Sequence, residues 1–215
     1  TAFSTIVDST APIVAERAMY FGGPPQWIGG HESAGVPEAD TTWYHAEGAT
    51  GAVFDTFILL ANVNAVETPI VVRFLTDAGQ TVERNYVLAP WSRLTIPVDA
   101  LPGLGATSFA TSVRATLPIV SERAMYWSTT GGAWQEAHNS FGVTEAGTRW
   151  ATADGRVGGA RDYQTYILIA NPSAFSEPNI KVTFMRSDGL QVVRTLTLPR
   201  ERRTPALDEV MRPCR

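Results

Sequence analysis

Cysteine is almost absent from this sequence of 215 residues, because Cys214 is the only one. A single thiol can form neither an intrachain disulfide nor a thiolate metal cluster. The sequence also has no His-Glu-x-x-His spacing, no Asp-rich calcium loop and no Gly-x-Ser-x-Gly nucleophile motif. We therefore predict no cofactor, no metal and no catalytic residue, and we expect that the protein is not an enzyme.

Long apolar runs and clusters of basic residues are missing as well. The longest apolar stretches, such as 57–63, are far shorter than the roughly 20 residues that cross a bilayer as a helix. The net charge is -4 and the 17 basic residues are scattered, which argues against a nucleic-acid partner. Residues 1–7 have neither an initiator methionine nor the pattern of a signal peptide, so we expect a processed or excised piece of a longer protein.

What the sequence does contain is an internal repeat. The ten residues that begin at Pro12 return at Pro118, with eight of the ten positions identical. At an offset of about 107 residues the match continues through six further pairs: Trp27 and Trp134, His31 and His138, Ser33 and Ser140, Gly35 and Gly142, Trp43 and Trp150, Gly48 and Gly155. Later matches join 56–62 to 165–171, 72–79 to 182–189, and Pro90, Arg93 and Asp99 to Pro199, Arg202 and Asp208.

The repeat predicts how the chain is divided. Residues 1–42 correspond to the terminal strands and loop of a preceding unit, 43–148 to a complete unit, and 149–215 to a truncated second unit. Residues 1–21 are similar in sequence to 109–127. The second unit contains no segment that corresponds to 109–127. We therefore expect 1–21 to complete the second unit, either within the same chain or from a neighbouring chain.

The pattern of β-branched and aromatic residues predicts an all-β fold. Strands are expected at 53–61, 70–76, 81–88, 94–98, 109–115 and 119–126, with hairpin turns at 77–79 and 187–189. Strands at intervals of about 10 residues favour two tandem antiparallel β-sandwich modules, Ig-like or jelly-roll-like. We also predict a second turn at 114–118 and a short helix at 205–211. Ordered loops are expected at 22–43 and 131–150.

Four motifs resemble a repeat of unknown function in large secreted or cell-envelope proteins of several bacterial phyla. They are Glu-Arg-Ala-Met-Tyr-Trp at 122–127, His-x-Ser-x-Gly at 31–35, Ala-Glu-Gly at 46–48 and Ile-Leu-Leu-Ala-Asn at 58–62. The resemblance implies an extracytoplasmic location, β-rich tandem modules and no established activity. The second copy departs from the pattern at Asp154, which replaces Glu47, and at 200–203, which is more basic than 91–94.

Two adjacent charge pairs recur in the repeat, Glu16 with Arg17 and Glu122 with Arg123. Neighbouring residues on a strand point to opposite faces, so the members of a pair cannot bind each other. We predict a structural role in which each binds a charge on an adjacent strand. Arg93 and Arg202 are candidate partners for the glutamates.

The recurring histidines, His31 and His138, are followed two residues later by Ser33 and Ser140. Residues at this spacing rarely have the geometry of a nucleophile and its base, so we predict that the histidines hold the Gly-rich loops through backbone hydrogen bonds. Together with Glu32, His45 and Glu47, His31 forms the most plausible cluster of metal ligands. Asn139 and Thr152 replace two of these ligands in the second copy, which argues against a metal site.

Four repeated tryptophans, Trp27, Trp43, Trp134 and Trp150, are the candidate ligand-binding residues. Aromatic faces suit carbohydrate or protein recognition, although repeated aromatics are more typical of core and loop anchors.

These features favour a non-enzymatic structural, adhesive or assembly module of a bacterial surface protein or envelope complex. Its expected partners are other modules of the same parent protein or neighbouring chains, with carbohydrate as a further candidate and no nucleic acid. The alternative is a carbohydrate- or protein-binding module, and an accessory subunit of a membrane-associated complex is a third possibility.

Overall fold

The computed structural model describes residues 1–23, 26–128 and 133–204. In this part of the chain the regular structure consists of antiparallel strands and one 3₁₀ turn at Val98–Ala100. The strands are β1 (Glu16–Phe21), β2 (Gly29–Ala34), β3 (Asp40–His45), β4 (Phe54–Asn62), β5 (Thr68–Thr76), β6 (Thr81–Leu88), β7 (Arg93–Pro97), β8 (Phe109–Trp127), β9 (Glu136–Phe141), β10 (Ala170–Asn171), β11 (Asn179–Met185), β12 (Gln191–Thr197) and β13 (Arg202–Arg203). The prediction of an all-β fold is confirmed.

The 19-residue strand β8 organises the main sheet, which has seven strands. Its first half pairs with β5 on one edge and with β3 on the other, so that Val113 lies opposite both Val72 and Trp43. Its second half pairs with β4 and β9, so that Met125 lies opposite Thr56 and His138. Because one strand is shared by four neighbours, and β6 and β7 extend the sheet beyond β5 and β4, the antiparallel sheet is curled.

The predicted turn at 114–118 is wrong, since β8 runs through Pro118 without a break. Proline lacks a backbone N–H and normally interrupts a strand. Here the pairing with β5 ends at Ala115 and the pairing with β4 begins at Ile119, so Pro118 occupies a position without a ladder partner on either of these edges. Its carbonyl accepts a hydrogen bond from Asn64 Nδ2 at 2.8 Å.

The core lies inside the curl of the sheet. Alternate residues of β4 and β5 point into it, as the buried-exposed alternation of both strands shows. Its largest fully buried side chains are Trp43, Phe74, Phe109, Ile58, Leu60, Ile70, Leu75, Ile96, Leu104 and Ile119. Burial of each such side chain contributes roughly 1.5–3 kcal/mol, which makes this sheet the stable centre of the molecule.

The second copy of the repeat has less regular structure in the described residues. Strands β11 and β12 form a two-stranded hairpin, and β10 pairs with β13 over two residues. Both predicted hairpin turns are confirmed, because Gly79 and Gly189 join β5 to β6 and β11 to β12 with φ of 84° and 83°. Left-handed φ values of this size favour glycine.

The strand pairing corrects one detail of the repeat alignment. Arg93 lies opposite Ala61, and in the second copy Arg203, not Arg202, lies opposite Ala170. The same one-residue shift is visible in the backbone, because the unusual positive φ of Trp91 recurs at Glu201. Arg203 is therefore the structural counterpart of Arg93.

Strands occupy part of the loops predicted at 22–43 and 131–150. These stretches contain β2, the beginning of β3, and β9. The predicted helix at 205–211 lies outside the described residues. Within the described residues, no helix has the length and apolar character needed to cross a membrane.

Candidate functional site

The candidate site is the place where two equivalent hairpins meet. The first hairpin is β1–β2, and the second consists of the last six residues of β8, 122–127, together with β9. Their registers are the same, since Met19 lies opposite His31 in the first and Met125 lies opposite His138 in the second. Strands β2 and β9 pack against each other, and we call this contact the hairpin interface.

Polar contacts cross the hairpin interface. Arg17 Nη1 lies 2.9 Å from Glu122 Oε2, and His31 Nε2 lies 3.1 Å from the hydroxyl oxygen of Tyr126. Burial, with a further contribution from the positive charge of Arg17, lowers the pKa of His31. The imidazole is therefore neutral at pH 7 and shares a hydrogen bond with a neutral phenol.

The buried Arg123 is the centre of an ionic cluster beside this interface, whose other members, Glu47 and His138, are about one third exposed. Its Nη1 lies 2.8 Å from Glu47 Oε2 and donates to the Glu47 carbonyl oxygen at 3.2 Å. Its Nη2 lies 3.0 Å from His138 Nδ1. A guanidinium can only donate, so His138 Nδ1 is the acceptor and the proton of the neutral ring is on Nε2, 3.5 Å from Glu47 Oε2. Burial and the charge of Arg123 lower the pKa of His138.

A serine and a histidine also meet inside the sheet. His45 Nε2 lies 3.0 Å from Ser121 Oγ, a distance that a nucleophile and its base would have. Both side chains are buried, with Ser121 fully so, and the hydroxyl therefore does not face solvent. Burial and the nearby charge of Arg123 lower the pKa of His45 to about 3, so the pair is a neutral internal hydrogen bond.

Two asparagines make the same contacts in the two copies. Asn62 Nδ2 donates to the carbonyls of Val66 and Ala89, and also lies 3.2 Å from the carbonyl of Leu88. Asn171 Nδ2 is placed in the same way against Ser176, Leu198 and Pro199. Each asparagine holds the end of its strand against the following hairpin.

The four candidate tryptophans have different environments. Trp43 is 2% exposed and donates from Nε1 to the Ile119 carbonyl, so it is a core residue and cannot belong to a surface platform. Trp27, Trp134 and Trp150 are exposed. Trp134 stacks on Tyr126 with ring centroids 4.5 Å apart, so part of its surface is used inside the second hairpin.

Among the described residues, the remaining charged candidates do not form the ion pairs with glutamates that the sequence predicted. Arg93 Nη2 donates to Thr95 Oγ1, and Arg202 Nη2 donates to the Ala78 carbonyl. Glu16 is exposed on β1. His31 and His138 lie on strands and contact side chains, whereas the sequence placed them in loops that they would hold through the backbone.

Sequence reasoning missed the partners of these residues. Ser121 and His45 are replaced by Ala15 and Thr152 in the other copy, so the repeat gave no signal for them. The two asparagines close the repeated Ile-Leu-x-Ala-Asn motif, which was the available signal for their role. Within the described residues, no group of three or more His, Cys, Asp or Glu side chains is placed to hold a metal ion.

Comparison with known proteins gives likeness to solved structures alone. No protein-family model matches the chain, and no curated protein matches it. A structure titled Crystal Structure of Thermotoga maritima 1070 is similar over 51% of this chain and 98% of its own, with 14% identity and a TM-score of 0.45. The Anabaena sensory rhodopsin transducer is similar over 40% of this chain and 87% of its own, with 16% identity and a TM-score of 0.36.

Proposed function

We propose that this chain is a non-enzymatic structural or assembly module of the bacterial cell exterior, built from tandem β-sandwich units that follow the sequence repeat. The observation that carries the proposal is the hairpin interface. Residues of the repeat contact the next copy of the same hairpin there, as Arg17 does with Glu122. A contact between successive copies is what a modular, load-bearing or assembling protein requires.

Three further features support the proposal. The curled sheet, in which β8 passes from one group of strands to another, is compatible with a sandwich-like unit around one core. The resemblance of the repeated motifs to cell-envelope repeats supports the location. The buried Arg123 and His45 and the part-buried His138 have partners that stabilise structure, which supports a scaffold role for these groups.

The hairpin interface is tested by charge exchange. In Arg17→Glu, the repulsion from Glu122 should separate the first hairpin from the second. Hydrogen exchange of the β1 and β2 amides should then become faster, while exchange in β4 and β5 stays unchanged. The double variant Arg17→Glu with Glu122→Arg should restore protection, because it rebuilds the ion pair in reverse. Equal protection in all three proteins would contradict a modular contact at this interface.

The location is tested by protease treatment of intact cells of the source bacterium. An antibody against the chain should detect cleavage of the protein on intact cells if it is on the surface. A cytoplasmic protein used as the control should stay uncut. Protection of this chain together with the control, until the cells are lysed, would contradict a surface location.

Carbohydrate or protein recognition is the second candidate function. The observation that favours it is a set of exposed aromatic rings on the two hairpins. Tyr20 and Trp27 lie 5.8 Å apart on the first, and Trp134 on the second stacks on the buried ring of Tyr126. Binding to a glycan array that is lost in Trp27→Ala, and retained in Trp150→Ala, would support this function. No binding by the unaltered chain would remove it.

A further inference from the structure

We propose that residues 3–21 are a strand donor that completes the 165–204 segment of a second molecule of this chain. The inference rests on the proposed assembly function and deepens it, because it names the partner as another copy of the chain and gives the register of the contact. Four observations carry it.

The first observation is a set of matched side chains with opposite exposure. Phe109, Val113 and Ile119 of β8 are all 0% exposed and fill the core. Their sequence counterparts, Phe3, Val7 and Ile13, are the same residue types and are 76%, 57% and 57% exposed. Residues 1–15 form no strand in the structure. The donor therefore has the apolar face of β8 without a core to fill.

The second observation is an acceptor with an open edge. In the first copy, β5 lies between β6 and β8, whereas β11 has β12 as its one strand partner among the described residues. The counterpart of β4 is also incomplete, because residues 164–169 form no strand and Tyr166 is exposed. Exposed strand edges of this kind are templates for strand addition from another chain.

The third observation is that the register is fixed at both ends of the donor. Val113 lies opposite Val72, and Val120 lies opposite Ala61. Transferred through the repeat, these pairs place Val7 opposite Val182 and Val14 opposite Ala170. The pairing leaves β2 in place, since the second half of β8 binds β9 on one edge and β4 on the other.

The fourth observation concerns the glycine that lies under Phe109, the first aromatic ring of β8. A Cβ at Gly48 would collide with the ring of Phe109. At Gly155, the counterpart of Gly48, a Cβ would meet Thr165 Cγ2 at 3.4 Å, an ordinary contact. The space above Gly155 is the place for the ring of Phe3 from the donor strand.

The first experiment measures the mass of the full chain by sedimentation over a wide range of concentration. We expect oligomers that grow with concentration. Val7→Asp should raise the dissociation constant by about a hundredfold, because it would bury an unpaired carboxylate in the completed sheet. Thr10→Asp is the matched control, since its counterpart Thr116 is exposed on β8. Gly155→Ala should weaken assembly by about tenfold, because a methyl group would occupy the space of the Phe3 ring.

Val7 and Thr10 are exposed in the single molecule, so neither substitution should change its circular dichroism. A monomer at every concentration would overturn the proposal. An oligomer with the same dissociation constant in Val7→Asp and Thr10→Asp would also overturn it, because assembly would then use another surface.

The second experiment tests the register and the origin of the donor. Two proteins are mixed under oxidising conditions, one carrying Val14→Cys and the other Ala170→Cys, both with Cys214→Ser. We expect a mixed disulfide dimer, because opposed residues in a sheet are within bridging distance. Ala15→Cys mixed with Ala170→Cys is the control, since its side chain points to the opposite face. Equal yields from both mixtures, or no mixed dimer, would overturn the proposal.

The failure of this proposal can be distinguished from that of the proposed function. A monomeric chain that is nevertheless cleaved on intact cells, with an Arg17–Glu122 contact that charge exchange restores, would leave the modular surface function intact and remove the strand donor alone.

Discussion

Two buried polar side chains illustrate how single residues stabilise this fold. His45 is enclosed as a neutral ring that is hydrogen-bonded to Ser121, and Asn62 satisfies backbone carbonyls at the end of β4. Buried polar groups are favourable when each has a partner and costly when one is removed. Both positions therefore allow sharp predictions.

The buried His45 should make stability fall with acid. Its pKa is about 3 in the folded chain and about 6.5 when unfolded, so the unfolded state binds the proton first. The contribution of the neutral His45 ring to the free energy of unfolding is complete above pH 6.5. It is lost as the pH falls from 6.5 towards 3, by up to about 1.4 kcal/mol per pH unit.

Urea unfolding at a series of pH values checks this prediction. His45→Gln keeps a donor near Ser121 Oγ but does not titrate, so its unfolding free energy should fall less steeply between pH 6.5 and 4.5. Carboxylates titrate equally in both proteins. The same slope for the two proteins would mean that His45 is protonated while folded.

Replacing Asn62 with alanine should destabilise the main sheet by about 2–4 kcal/mol, because several buried backbone groups lose their partner. Hydrogen exchange of the β4 and β8 amides measures the change. Asn171→Ala is the matched control, since it removes the same contacts from the second copy. Its effect should be confined to residues 170–203, and a loss of protection in β4 would show that the copies unfold together.

At the scale of elements, the contact between Gly48 and Phe109 holds the start of β8 in place. Gly48→Ala should lower the stability of the main sheet by about 1–3 kcal/mol, because the added methyl group collides with a fully buried ring. Gly155→Ala should change it by less than about 0.5 kcal/mol. Thermal melts of dilute protein compare the two. Similar melting temperatures for both variants would indicate that Phe109 can move aside.

The strands that alternate apolar and polar residues were predictable from the sequence. Strands β4, β5 and β6 start and end within two residues of the prediction, because one face of each packs on the core. Strands β2 and β9 were missed, since both have polar sequences, with two glycines in β2, and are held by the other hairpin rather than by a core. The continuity of β8 was missed because proline breaks a strand only where its N–H is needed.

At the scale of the whole molecule, the repeat identified the residues of the hairpin interface but not their partners. Its periodicity indicated a structural role for Arg17 and Glu122 in ion pairs and a separate one for His31 in holding a loop. The contacts join residues about a hundred positions apart, and a single sequence contains no information on which of two copies provides each partner. The repeat also could not show that Trp43 is buried while Trp150 is exposed, because burial depends on the packing of distant strands.

The order of the repeats along the chain has a consequence for the kinetics of folding. Residues 3–21 precede β4 and β5 in the chain, whereas β8 follows them, and N-terminal segments are synthesised first. Because Phe3, Val7 and Ile13 match the core residues of β8, the earlier segment can occupy the place of β8 before β8 is available. The chain then has to release a near-native pairing before it reaches its final state.

Dilute refolding, followed by the fluorescence change as Trp43 becomes buried, measures this competition. Val7→Asp should refold faster than the unaltered chain and lose a slow phase, while Thr10→Asp should keep it. Unfolding rates should be the same in all three, since residues 3–10 are outside the folded sheet. The sequence similarity that provides a docking partner between molecules would thus slow the folding of each one.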